Sequence, residues 1–129
     1  MSGDDRGVAL ARRICAGLPL FSGIDGREVA ITRLGGLTNL VFRIDLGPQH
    51  YVLRVPGKGT QEYINRGHEA QAAREAARVQ VSPEVLHFDT QTGVMVSRLV
   101  DAAVTMTPEN FRARPGAPAR AGTLMRQLH

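Results

Sequence analysis

The chain has 129 residues, 43% of them hydrophobic and 22% charged, with a formal net charge of +4 and a pI of about 10.2. That length suits one globular domain with a modest core and leaves no room for a second. No apolar run reaches the roughly 18 residues that span a bilayer, and the opening Met1-Ser2-Gly3-Asp4-Asp5-Arg6 lacks the basic-then-apolar order of a signal peptide, so a cytoplasmic chain with no membrane partner is expected.

The basic balance raises a nucleic-acid partner, and the distribution of the cations argues against one. They are almost all arginine, with Lys58 the one lysine, and most are scattered. Aromatics make up 5%, and no stretch interleaves them with arginine as a base-stacking surface needs. The run from Arg112 to Arg126, which contains no acid, reads as a solvated basic segment. Cys15 is the single cysteine; it has no thiol to pair with and reads as a small buried side chain.

Over residues 8–18 the apolar side chains Val8, Leu10, Ala11, Ile14, Cys15 and Leu18 recur at helical spacing, which predicts a short amphipathic helix. Pro19 and the glycines at 23 and 26 end it, and residues 28–34 read as a strand running into Gly35-Gly36-Leu37-Thr38-Asn39. Two adjacent glycines allow a tight turn and a close backbone approach to a ligand; the same five residues also suit an ordinary hairpin. The next strand alternates Leu40, Phe42, Ile44 and Leu46 against Val41, Arg43 and Asp45, and Gly47-Pro48-Gln49-His50 reads as its turn. In Tyr51-Val52-Leu53-Arg54-Val55, Leu53 and Val55 share one face and Arg54 and Val52 the other. An arginine in so apolar a strand needs a partner, because an unpaired buried guanidinium is costly.

Pro56-Gly57-Lys58-Gly59-Thr60 ends that strand and lacks the Gly-x-x-x-x-Gly-Lys-Ser/Thr spacing of a P-loop. Residues 62–80, rich in alanine, glutamate and arginine, predict a helix with Glu69 on one stripe with Ala72, Ala73 and Ala76. Glu69 is the carboxylate expected on the packing face, and Arg54 is the counter-charge it lacks. Ser82-Pro83 stops the helix. Two strands follow, residues 85–89 and 94–100, around the turn Thr90-Gln91-Thr92-Gly93. Beyond Asp101 an irregular linker through Pro118 is expected, with a helix from about Ala117 to Leu128 that meets the chain end without a stop signal.

Three strands, a helix and two strands, with a glycine turn after the first strand, a cation in the third and a glutamate in the helix, follow the order of a protein-kinase-like N-terminal lobe. The Gly35 to Asn39 loop, the Tyr51 to Val55 strand, Arg66-Gly67-His68-Glu69-Ala70, Ser82-Pro83-Glu84-Val85-Leu86 and Val96-Ser97-Arg98-Leu99-Val100-Asp101 together resemble the choline/ethanolamine kinase branch of the aminoglycoside phosphotransferase-like superfamily. The resemblance covers about residues 8–129. It implies an α+β fold: a five-stranded antiparallel sheet with one packed helix, a short N-terminal helix and a truncated C-terminal one. Residues 8–100 would form an ATP-binding lobe, and residues 101–129 a linker and the start of a second lobe.

The same resemblance implies roles. Gly35, Gly36, Leu37, Thr38 and Asn39 would cover the ATP phosphates with backbone N–H groups and short polar side chains. Arg54, where most kinase-like enzymes have lysine, would bind phosphate and be held by Glu69. Ser97, Arg98, Leu99 and Val100 would form the hinge that offers backbone groups to adenine. The family also needs a His-x-Asp-x-x-x-x-Asn loop and a later metal-binding aspartate. His87-Phe88-Asp89 matches the first half, yet it precedes the hinge and Val94 stands where the asparagine should fall, so both read as strand and turn residues. No catalytic residue and no metal ligand is therefore expected in this chain. ATP is the expected partner; Mg²⁺ ligands and the pocket for a small amino alcohol such as choline or ethanolamine would lie in a second lobe. The alternatives are a non-catalytic nucleotide-binding or interaction module, associating through the uncovered lobe interface, and an aminoglycoside-type small-molecule kinase.

Overall fold

Strict alternation in the strands and an alanine-rich helix between them decide the architecture of the computed structural model, which describes residues 3–22, 29–35, 38–57, 65–101, 103 and 106–129. The elements are α1 (Gly3–Gly17), one 3₁₀ turn (Pro19–Phe21), β1 (Val29–Leu34), β2 (Asn39–Leu46), β3 (Gln49–Pro56), α2 (Arg66–Arg78), β4 (Val85–Phe88), β5 (Met95–Arg98), α3 (Pro108–Ala113) and α4 (Ala117–Leu128). The strands form one five-stranded antiparallel sheet in the order β1-β2-β3-β5-β4. This is the expected α+β lobe.

Residues directly opposite on antiparallel strands share a face of the sheet. Phe42, Leu53 and Val96 are opposite one another on β2, β3 and β5, and all three are 0% exposed. Ile44 and Tyr51 extend the same face. α1 lays Ala11 and Cys15 over it, and Phe21 meets Tyr51 edge to face with ring centroids 5.4 Å apart. Burial pushes the Cys15 thiol up to about 11, so it stays protonated and packs as a small apolar group. At the open end of this core the Arg33 guanidinium lies 5.4 Å from the centre of the Phe42 ring.

The helices depart from expectation at their ends. α1 starts at Gly3 rather than Val8, and Asp5 in its first turn suits the positive end of a helix. The expected start of α2 at Glu62 lies outside the described residues; from Arg66 the helix is capped by Asn65, whose side chain accepts from the His68 N–H at 3.0 Å. It ends at Arg78, short of Gln80, because Gln80 turns left-handed at φ 64° and the Val81 N–H returns to the Ala76 carbonyl. The stripe facing the sheet is also rotated from the expected one. Arg66 and Ala70 are buried, Glu69, Ala73, Ala76 and Ala77 half-buried, and Ala72 exposed. α3 corrects the reading of an unbroken irregular linker: Thr107 accepts from the Asn110 N–H at 3.1 Å, with Pro108 and Glu109 in the first turn, a local start signal that outweighs the prolines around it. On α4, Leu124, Met125 and Leu128 are exposed. Among the described residues no helix is long and apolar enough to cross a membrane.

Asp45 sits in the β2–β3 hairpin and its carboxylate is held below its ordinary pKa. The Arg43 Nε–H, donating at 2.8 Å, is the main cause, and His50 Nδ1, 2.6 Å from the same oxygen, adds to it. A depressed carboxylate stabilises the fold above its unfolded pKa of about 4, and that contribution is lost as the pH falls through the folded value. Asp45→Asn is therefore expected to lower stability at neutral pH, with the gap to wild type closing below about pH 4; urea titrations across pH 3 to 7 measure this, and a constant gap contradicts it. Leu53→Ala, which empties the centre of the buried row, should cost about 3 kcal/mol, read as a lower urea midpoint with an unchanged slope.

Candidate functional site

The opposite face of the sheet carries a second row. Leu34, Val41, Arg54, Met95 and Phe88 stand opposite one another across all five strands, and Arg54 is its one charge. The next row, Thr32, Arg43, Val52 and Ser97, adds an apolar valine beside it. Leu34, Val41 and Val52 are half-buried, so α1 and its core leave this face with apolar surface still on offer.

Arg54 meets the expected partner. Its Nη2–H donates to Glu69 Oε1, and its guanidinium carbon lies 6.0 Å from the centre of the Phe88 ring. The two side chains keep 22% and 23% of their surface, enough screening to make the pair adjustable and enough burial to make it matter. The Arg54 Nε–H is buried without an acceptor.

A third member was not assigned from the sequence. Arg66, in the first turn of α2, donates from Nη1 to Glu69 Oε2 at 2.6 Å, and its side chain is 8% exposed. It packs under the β4–β5 turn, where Gly93 has φ 79° and a Cβ would fall 2.7 Å from Arg66 Cζ and Nε and 2.8 Å from Pro56 Cγ. A signal was present: arginine and glutamate at i and i+3 face one another on a helix. What the spacing does not reveal is that the pair points inward.

Of the glycine loop, Gly35, Thr38 and Asn39 are described, and Gly36 and Leu37 lie outside the described residues. Asn39 pairs with Pro56, and a Cβ on Gly57 would overlap the Thr38 carbonyl oxygen, so the loop's far end is pressed against the end of β3. That brings Thr38 and Asn39 to the same edge as Arg54. In the hinge stretch, Ser97 is buried in β5, and Arg98 is exposed and bonded through Nε to Glu84 Oε2 at 2.7 Å, which raises its pKa further. The Arg98 N–H donates to the Glu84 carbonyl and the Leu99 N–H to the His50 carbonyl, while Val100 is exposed. His87 lies in β4. The Asp89 carboxylate accepts the Gln91 N–H at 2.8 Å, the main cause of its lowered pKa, and the Thr92 N–H at 3.3 Å, so it caps a turn. Among the described residues no group of three His, Cys, Asp or Glu side chains could hold a metal ion.

No family model matches the chain. It is similar to a crystal structure of a choline/ethanolamine kinase family protein from Mesorhizobium loti, at 53% identity and a TM-score of 0.78, over 95% of this chain and 38% of that one. Choline kinase LicA from Streptococcus pneumoniae shares the fold at 24% identity and a TM-score of 0.58, over 65% of this chain and 30% of that one. An ethanolamine kinase from Plasmodium vivax matches all of this chain and 39% of its own length, at 12% identity and a TM-score of 0.68. Protein LicA of Haemophilus influenzae is 25% identical over 88 residues, 68% of this chain and 26% of that protein. The chain thus spans well under half of each of these relatives, and what it spans is the sheet-and-helix lobe. With this fold and this identity, the chain resembles the N-terminal, sheet-and-helix lobe of choline/ethanolamine kinase family proteins.

Proposed function

We propose that this lobe binds ATP on the sheet face that carries Arg54, and supplies the nucleotide-binding part of a phosphotransferase whose acceptor is the hydroxyl of a small amino alcohol. The observation that carries the reading is Arg54 itself: a guanidinium in the middle of an apolar row, held from one side by Glu69 and still carrying a buried N–H without an acceptor. The exposed part of this guanidinium, 22% of the side-chain surface, fits a phosphate oxygen. Leu34, Val41 and Val52 offer apolar surface suited to a purine on the same face, with Val52 opposite Ser97 of the hinge stretch. Because the N–H groups of Arg98 and Leu99 are already donated within the sheet, adenine recognition falls to the Leu99 carbonyl and Val100.

Thr38 and Asn39, pressed to the end of β3, bring short polar groups to the phosphate side together with Gly35. Phosphoryl transfer is mainly positioning and charge stabilisation, and Arg54 would do part of both by fixing the phosphates and offsetting their charge. The acceptor class is inferred from the named activities of the choline and ethanolamine kinases that share the fold. No His-x-Asp-x-x-x-x-Asn loop occurs in the 129 residues, and on the family likeness the base and the Mg²⁺ ligands are assigned to a second lobe.

Calorimetric titration with ATP tests the site. Wild type should bind, and Arg54→Ala and Glu69→Ala should each weaken binding by about tenfold or more, as loss of a charge-assisted hydrogen bond does; affinity indifferent to both changes removes the assignment. The 129-residue chain alone should give no ATP-dependent turnover of choline or ethanolamine in a coupled assay. Turnover above the buffer blank contradicts the placement of the base in a second lobe.

A further inference from the structure

Glu69 is shared. One carboxylate oxygen takes Arg54 and the other takes Arg66, so neither guanidinium forms the two parallel hydrogen bonds that an arginine and a carboxylate prefer when left alone. Arg66 is also an unusual occupant of its position. A cation in the first turn of a helix is opposed by the helix dipole, and burying its side chain to 8% exposure adds a desolvation cost. Gly93 removes the one side chain that would occupy the space taken by Arg66 Cζ and Nε.

We propose that Arg66 is a positioning residue for Arg54. By claiming Glu69 Oε2, it restricts Glu69 to a single bond with Arg54 Nη2, and the remaining edge of the Arg54 guanidinium stays available to the oxyanions of a polyphosphate. The proposal rests on the nucleotide reading above and adds to it a requirement for a second arginine. Without Arg66 the Glu69 carboxylate is free to close on Arg54 with both oxygens, which sets the carboxylate in competition with phosphate for the same N–H groups. Arg66 need not touch the ligand for this to hold.

The test titrates ATP and inorganic tripolyphosphate into the full 129-residue chain as wild type, Arg66→Met, Arg66→Lys, Glu69→Gln and the Arg66→Met/Glu69→Gln double variant, with thermal melts confirming that each is folded. Arg66→Met should weaken both ligands by about tenfold, and Arg66→Lys, whose ammonium still reaches one carboxylate oxygen, should recover most of the loss. In the Glu69→Gln background the Arg66→Met change should have little further effect, because there is no carboxylate left to restrain. If Arg66→Met does not fold, Arg66→Gln is read in its place with the same expectation, since an amide holds the carboxylate less firmly than a guanidinium. Wild-type binding with unchanged affinity in the Arg66 variant overturns the proposal and leaves the nucleotide reading standing. A loss that Lys does not restore, or that persists in the Glu69→Gln background, assigns Arg66 a merely structural role and also overturns it. Absence of ATP and tripolyphosphate binding by folded wild type removes both readings together.

Discussion

Glu69 presents one carboxylate to two guanidinium groups, and the placement of α2 on the sheet depends on that sharing. α2 is rich in alanine, and Ala70 is its one buried apolar residue. A helix with so little apolar area gains little from burial, so contact area alone would leave it free to slide or roll. The bond from Glu69 to Arg54 on β3, and the seating of Arg66 against Gly93 and Pro56, tie its height and its rotation to the sheet. Desolvating three charges costs several kcal/mol per ion, and well-formed hydrogen bonds recover it only at one geometry. What the cluster contributes is a specific arrangement more than net stability.

The sheet separates this demand from the demand for a core. Phe42, Leu53 and Val96 face α1 with no exposed surface, while Arg54, their neighbour in sequence to Leu53, faces α2. Period-two alternation makes the separation strict, since a slip of one residue in the register of β3 would bury Arg54 among Phe42 and Val96 and lift Leu53 out of the core. The hydrophobic side therefore protects the geometry of the polar side. Gly57 and Gly93 mark where two turns approach that polar side too closely for a Cβ, one against the Thr38 carbonyl and one against Arg66.

Much of this was legible from residue order. Alternation in residues 40–46 and 51–55 identifies both faces of β2 and β3, and a lone arginine on one side requires an acid in the next element. Glu69 answered that requirement. Other features followed signals that are local yet easily outweighed: Thr107-Pro108-Glu109 starts α3 in a stretch whose prolines suggest none. The packed stripe of α2 was rotated from the one its alanines suggest, since alanine is nearly as content on an exposed helix face as on a buried one and so reports its surroundings poorly.

The amino-acid sequence by itself determined the strands, their inward faces, the family likeness and the pairing of Arg54 with Glu69, because each of these rests on periodicity or on a charge that cannot be left alone. Only the tertiary structure decided that Glu69 has a second arginine, that Gly93 makes room for it, and that the Arg98 and Leu99 N–H groups are consumed by Glu84 and His50. These depend on register and on the approach of segments distant in the chain. A pattern of residues along one segment says which side a group faces, and only the packing of several segments says what is waiting there.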